Sequence, residues 1–312
     1  MTAPAPVVSV LMLTYNHAAF LQQAIASVQA QTLQAWELLI GEDGSTDHTA
    51  TIALKSAATD ARIRVFSSPG GSLGFHRNFA RLLEAAQAPY VAFLEGDDWW
   101  SEPRKLDLQV SLLEQDPTLA FCGGRTLVLD QRLIPGPHTA SIGPSSDCLR
   151  LALPDLIGAY SFHFSSVLMR RDVLQLPDWI FRQYCLDRPL YLLAALRGDA
   201  AALDQPVSVY RLHQGGVWAP LSPLQRAWRS RSLFGALRQN FPRHYRRCFQ
   251  LALSQILWSY LADAIAQGQR WQTLAILLMG VEAAPGLRLF RQPRPTAGSL
   301  WRVLSPLPIV IT

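Results

Sequence analysis

The sequence predicts an α/β fold: a mainly parallel sheet flanked by helices, with a helical appendage at the C-terminal end. Three observations carry this. Over the first hundred residues, short apolar runs alternate with helical periodicity at intervals of ~25–30 residues, the pattern of right-handed βαβ units. The first run, Val7–Thr14, is apolar almost throughout instead of at every second position, as a strand buried on both faces requires. Beyond Pro223 strand-like runs stop and helical periodicity alone remains.

Each element follows in order. Phe20–Val28 spaces Phe20, Leu21, Ala24, Ile25 and Val28 at helical intervals. Trp36–Ile40 reads as a second strand, and Asp47–Ala58 as a helix opened by a Ser/Thr/Asp cluster. Ile63–Phe66 is a third strand. Phe75–Ala86 is a helix with Phe75, Phe79, Leu82, Leu83 and Ala86 on one side, and Tyr90–Leu94 is a fourth strand. The pattern continues with a helix over Pro103–Leu113, a strand over Leu119–Leu129 and a Gly/Pro/Ser-rich loop over Pro135–Ser146. A strand over Phe164–Met169, a helix over Asp187–Leu196 and a short strand over Val207–Tyr210 follow. Two helices, Gln250–Ala266 and Trp271–Glu282, flank Gln267-Gly268-Gln269. The change of pattern divides the chain into residues 1–220, the α/β unit, and residues 221–312, a basic, mainly helical region.

Composition narrows the function classes. Of 312 residues 49% are hydrophobic and nine are Trp, which excludes a largely disordered chain. The four cysteines, Cys122, Cys148, Cys185 and Cys248, form no C-x-x-C pair; a disulfide framework or zinc cluster is not expected, and a reducing cytoplasm is. Val7–Thr14 is too short for a secretory leader, and Thr273–Val281 falls short of the ~20 residues that span a bilayer. Net charge is +5, but residues 221–312 hold 12 arginines against Asp263 and Glu282. That asymmetry points to peripheral contact with phospholipid headgroups or a phosphorylated acceptor, or else reflects an arginine-rich coding bias. No nucleic-acid motif accompanies it, so nucleic acid is not the expected partner.

In an open parallel sheet, ligands bind beyond the strands' C-terminal ends. Three predicted strands end there in polar clusters: Thr14-Tyr15-Asn16, Glu42-Asp43-Gly44-Ser45 and Glu95-Gly96-Asp97-Asp98. The last sets three carboxylates within four residues. Like charges this close raise each other's pKa unless a cation neutralises them, and oxygen ligands favour Mg²⁺ or Mn²⁺, ions that share coordination with phosphates. The other reading is a polar turn that starts the next helix.

These segments resemble the successive motifs of the family 2 glycosyltransferases of GT-A fold, a Rossmann-like architecture. The family reads P-x-Y-N, then D-D-G-S-x-D, then L-D-x-D-D. Here stand Thr14-Tyr15-Asn16, then Glu42-Asp43-Gly44-Ser45-Thr46-Asp47, then Leu94-Glu95-Gly96-Asp97-Asp98. Gly74-Phe75-His76-Arg77-Asn78 is similar to the family's segment before the metal motif; Leu186-Asp187 and Tyr210-Arg211-Leu212-His213 are similar to its E-D and Y-R-x-H. The resemblance runs over residues 6–218.

The resemblance implies an inverting transfer of a sugar from a nucleotide-diphosphate donor, most often UDP, to an acceptor hydroxyl in glycan or polysaccharide synthesis. Thr14, Tyr15, Asn16 and Asp43 would hold the nucleoside and Arg77 the diphosphate. Glu95 would meet ribose, Asp97 and His213 would ligate Mg²⁺ or Mn²⁺, and Asp187 would be the general base. The acceptor would be a glycan or a lipid-linked intermediate. Two departures stand out: Glu95 replaces the usual Asp, and Leu186 replaces the acid that precedes the base.

Gln267-Gly268-Gln269-Arg270-Trp271 matches the Q-x-x-R-W of processive polysaccharide synthases but lies far beyond Asp187 between two predicted helices, so single additions are expected. His163, Ser165 and Ser166 are weaker candidates on the acceptor side, and Trp99, Trp100 and Trp218 are candidate stacking platforms or plain packing. The alternatives are a non-catalytic nucleotide-sugar binder, which the loss of acid at Leu186 favours, and a sugar-phosphate nucleotidyltransferase. The latter expects a Gly-rich basic first turn, and Thr14-Tyr15-Asn16-His17 has neither Gly nor Lys.

Overall fold

Strand β1, Val8–Thr14, is buried at every position and divides its side chains between two apolar layers. Leu11 and Leu13 join one layer; Val8, Val10 and Met12 join the other. A computed structural model describes residues 5–68, 70–130, 140–142, 150–158, 162–213, 215 and 221–283. After β1 come α1 (Leu21–Gln29), β2 (Trp36–Glu42), α2 (Thr49–Thr59), β3 (Ile63–Phe66), α3 (Phe75–Ala85) and β4 (Tyr90–Glu95). Next are β5 (Trp99–Trp100), α4 (Lys105–Gln115), β6 (Leu119–Asp130), β7 (Ala140–Ile142), β8 (Arg150–Leu151) and α5 (Leu153–Gly158). A 3₁₀ turn, Phe164–Ser166, precedes β9 (Leu168–Arg170), α6 (Asp187–Ala194) and β10 (Asp199–Leu212); α7 (Pro223–Asn240), α8 (Arg246–Ala266) and α9 (Arg270–Ala283) close the described chain.

The sheet order is β3-β2-β1-β4-β9-β6-β10-β5, with β7 on β6 and β8 on β10. β3, β2, β1 and β4 are mutually parallel, and β6 and β10 are parallel to each other. β9 inserts antiparallel between β4 and β6. The order reverses beside β1, because β2 lies on one side and β4 on the other, and this opens a crevice at their C-terminal ends.

One face of the sheet is covered by α1, α2 and α4 through Leu21, Ile25, Ala53, Leu106 and Leu113. The other is covered by α3, α5 and α6, and the same apolar cluster continues into α7, α8 and α9 through Phe234, Phe249, Leu257 and Ile276. Among the described residues no helix is long and apolar enough to cross a membrane.

The mainly parallel α/β sheet is as the periodicity predicts, and three local differences have physical causes. Phe164–Ser166 is a turn, not strand, because the Ser166 hydroxyl donates to the His163 carbonyl at 2.8 Å and Ser165 N–H to the His163 ring, giving the backbone a local alternative to a ladder. The strand expected over Val207–Tyr210 extends back to Asp199; its alanine-rich start reads as helix in isolation but pairs along β6, with register shifts around Pro206. Within the predicted loop Pro135–Ser146, Ala140–Ile142 pairs antiparallel with Thr126–Val128; the rest of that loop lies outside the described residues. The separate helix α7 opens on a capping box. Ser222 Oγ accepts from Gln225 N at 3.3 Å, the Gln225 side chain accepts from Ser222 N at 2.9 Å, and Pro223 follows the cap.

Candidate active site

The site forms where β1 and β4 end side by side. Beyond Glu95 the chain turns at Gly96, whose N–H donates to the Leu13 carbonyl at 2.8 Å. A Cβ on Gly96 would lie 2.7 Å from Thr14 Oγ1 and 2.9 Å from His17 Nδ1, so only glycine lets the two strand ends approach this closely. The turn then gives Asp97 and Asp98 different partners. Asp97 Oδ2 lies 3.0 Å from His213 Nε2 and 3.5 Å from His17 Nε2. Asp98 is 1% exposed; its Oδ1 accepts from Arg211 N at 2.9 Å, while Oδ2 faces His163 Nδ1 at 3.6 Å and has no hydrogen bond.

Arg211 braces this turn. Its Nε donates to the Asp97 carbonyl at 2.9 Å and a terminal nitrogen to Gln23 at 2.8 Å, and its guanidinium lies 4.6 Å from the ring centroids of both Phe20 and Trp99. The Tyr210–His213 segment at the end of β10 thus does two jobs: Arg211 holds the carboxylate turn, and His213 faces it. Tyr210 also packs against His163, with ring centroids 4.3 Å apart and planes tilted by 31°.

Electrostatics sort the three carboxylates. Burial, then Asp97 and Asp187, push Glu95 up to about 8. Burial, Asp97 and Glu95 likewise hold Asp98 well above the ordinary range. Burial pushes Asp97 the same way, but the hydrogen bond to His213 and the nearby His17 outweigh it, and its carboxyl is lowered. Burial lowers His17, and takes His163 down to about 4.

A pH dependence of stability follows. Folded Glu95 keeps its proton to about 8, whereas the unfolded group releases it near 4.5. Between those values the folded chain binds more protons than the unfolded one, so stability falls as pH rises. In chelator the melting temperature should therefore decline from about pH 5 to pH 8, and Glu95→Gln should flatten the slope. An unchanged slope in that variant removes Glu95 as the cause.

On the donor side, Thr14 is buried with Oγ1 unpaired. Asn16 takes a left-handed φ of 56° and ties the β1 turn to the β2 turn: its Oδ1 accepts from Thr46 N at 2.8 Å, and its N–H donates to Ser45 Oγ at 3.0 Å. Tyr15 is 47% exposed beside them. Asp43 accepts from Ser72 Oγ, Leu73 N and Gly74 N at 2.6, 2.7 and 3.0 Å, and so fixes the loop that starts α3. Arg77 is exposed on α3; Arg81, one turn on, donates to the carbonyls of Phe66, Ser67 and Glu42. The cation that feels the Asp43 and Glu42 carboxylates is Arg81.

Asp187 opens α6 and is half-buried. It acts electrostatically on Glu95, His163 and Tyr191, and the Cys185 thiol is hydrogen-bonded to it. Leu186, where the resemblance expects an acid, is 1% exposed and packs in the core. The carboxyl that Asp187 acts on is instead Glu95, at the end of β4.

His163 and Ser165 join the site through their own contact at 2.8 Å and through Asp98, whereas Trp100 is buried and its Nε1 donates to the Ser165 carbonyl at 2.8 Å. Trp218 lies outside the described residues. Residues missed by sequence reasoning are His17, Arg81 and the bracing role of Arg211. His17 had one signal, its place directly after Thr14-Tyr15-Asn16 at a strand end. A groove of about 790 Å³ at the far end of β4, lined by Leu83, Glu84, Arg170 and Leu176, contains none of these groups.

The residues present fit a divalent cation in two ways. Asp97 and His213, the expected ligands, are in direct contact, with His17 beside them. On the other side of the turn Glu95, Asp98 and His163 offer three ligand atoms within 4.8 Å of one another, and Asp98 Oδ2 is a buried, unsatisfied acceptor.

The sequence profile of glycosyl transferase family 2 matches residues 9–176, more than half of the chain. The chain belongs to glycosyl transferase family 2. It is 28% identical over 225 residues to an uncharacterised protein of Mycobacterium tuberculosis, which covers 72% of this chain and 64% of that relative. The chain thus spans less than two thirds of the mycobacterial relative's length. A putative teichuronic acid biosynthesis glycosyltransferase, TuaG of Bacillus subtilis, is 35% identical over 132 residues, 42% of this chain and 51% of TuaG. Among solved structures, residues 1–349 of Staphylococcus aureus TarS in complex with UDP-GlcNAc superpose with a TM-score of 0.62 at 16% identity, covering 89% of this chain and 81% of that one. A mannosyltransferase of Pyrobaculum calidifontis in complex with GDP-Man and Mn²⁺ gives 0.58 at 18% identity, covering 91% and 81%. At these identities the likeness is one of fold, and the GT-A-type architecture expected from the motifs is the one observed.

Proposed function

We propose that this chain is a metal-dependent, inverting and non-processive glycosyltransferase that moves a sugar from a nucleotide-diphosphate donor to an acceptor hydroxyl in polysaccharide or glycan biosynthesis. The observation that carries it is the meeting of Glu95, Asp97 and Asp98 with Asp187, His163 and His213 in one crevice beside β1. A UDP-sugar is the favoured donor, and a glycan or lipid-linked intermediate the favoured acceptor. The proposal includes a cytoplasmic enzyme that meets the inner face of the membrane through its arginine-rich C-terminal region.

In this reading Thr14, Tyr15, Asn16 and Asp43 bind the nucleoside, Glu95 orients the ribose, and Arg77 reaches toward the diphosphate. Asp97 and His213 would hold Mg²⁺ or Mn²⁺, which when bound neutralises the charge on the departing diphosphate. Asp187 takes the acceptor proton as the hydroxyl attacks the anomeric carbon opposite the leaving group.

The test is a donor screen by thermal shift. A UDP-sugar with Mn²⁺ should raise the melting temperature more than either component alone, because a ligand that binds only the native state stabilises it. Released nucleoside diphosphate in the same samples marks an enzyme; donor binding with no release at any metal concentration makes the chain a binder instead.

A further inference from the structure

The last two helices carry an apolar face that the described chain leaves open. α8 and α9 pack on each other across a turn at Gly268, and their inner residues Phe249, Leu253, Leu257 and Ile276 belong to the core. On the outer side of α8, Leu251, Trp258 and Ile265 recur every seven residues, one stripe of an α-helix. On α9, Trp271, Leu274 and Leu278 recur at three and four, with Leu277 beside them. Exposure is high where the stripes converge on the turn: 61% for Ile265 and 84% for Trp271. Single exposed leucines are ordinary, but a run of this kind marks a contact surface.

Its charge identifies the contact. Arg243, Arg246 and Arg247 stand at the start of α8 and Arg270 at the start of α9, all exposed, and none forms an ion pair among the described residues. Over residues 221–283 eight arginines face only Asp263 and Glu282. A second copy of this chain would bring the same arginines against one another in a two-fold contact. An anionic bilayer instead offers phosphates to the arginines and an acyl boundary to the Trp and Leu side chains.

We propose that the outer face of α8 and α9 is a membrane-docking surface: Trp258, Ile265, Trp271, Leu274 and Leu278 enter the headgroup–acyl boundary of an anionic bilayer while the surrounding arginines bind lipid phosphates. This rests on the peripheral-contact part of the proposed function and is independent of the transfer reaction. The helices lie on the bilayer, since none of those described is able to cross it.

The test uses the full chain with vesicles of phosphatidylcholine alone or mixed with phosphatidylglycerol. Wild type should co-sediment with the anionic vesicles, and brominated acyl chains should quench its Trp fluorescence. The triple variant Trp271→Ser, Leu274→Ser, Leu278→Ser keeps every charge, and should lose about tenfold or more in partitioning at unchanged melting temperature and donor thermal shift. Trp271→Phe should bind while reducing the quenching. Wild-type partitioning by the triple variant overturns the inserted face and leaves an arginine-only peripheral contact standing. No binding of wild type to anionic vesicles overturns both. A wild-type dimer that the triple variant dissociates, without vesicle binding, gives the face to a second copy and overturns the proposal.

Discussion

Asp187→Asn should lower turnover by ~10²–10⁴-fold while leaving donor affinity near the wild-type value. The substitution keeps the shape of the side chain at the start of α6 and removes only its capacity to take a proton. Interactions made with donor and transition state alike are untouched, so kcat and kcat/KM should fall together with KM little changed. The neighbourhood makes this a sharp test. Asp187 acts electrostatically on both Glu95 and His163. His163, which burial keeps neutral, is the candidate to take over the proton, and a residual rate that vanishes in Asp187→Asn/His163→Gln would show that it does so. Wild-type turnover in Asp187→Asn removes the residue from the mechanism.

The fold was legible because its signal is coarse. β1 is apolar on both faces, and the three polar clusters fall at strand ends whether or not element boundaries are right by a residue or two. The carboxylate turn was legible for the same reason: Glu95, Asp97 and Asp98 are adjacent in sequence, and nothing long-range is needed to find them. What surrounds them was not. His163 reaches Asp98 across a gap of 65 residues, and Arg211 reaches Asp97 across 114, through pairings of β9 and β10 that periodicity does not specify. Asp43 shows a subtler limit. Its carboxylate accepts three hydrogen bonds from the loop before α3, so its first task in this chain is to shape the donor side of the crevice. Leu186 stands in sequence where an acid is expected; packing explains it, since the side chain is core, and the carboxyl that Asp187 acts on is Glu95.

Asp97→Ala should abolish cation-dependent donor binding, with a loss beyond the ~100-fold that removing an outer partner of a metal ligand reaches. Asp97 is the carboxylate of the turn held low, because imidazoles of His213 and His17 face it, and it therefore stays ionised where Glu95 and Asp98 keep their protons. An ionised oxygen is what a hard divalent ion requires, and a protonated pair is a poorer start because binding must first expel the protons. The alternative ligand set of Glu95, Asp98 and His163 gives the opposite result: Asp97→Ala would keep a Mn²⁺-dependent thermal shift with UDP, and Asp98→Asn would lose it. The pH profiles also separate the two. Cation binding at Asp97 should persist to lower pH than binding at Glu95 and Asp98, which should strengthen steeply as pH rises toward about 8, where Glu95 gives up its proton. Measuring the UDP thermal shift with and without Mn²⁺ across that range, in wild type and both variants, assigns the ion to one side of the turn.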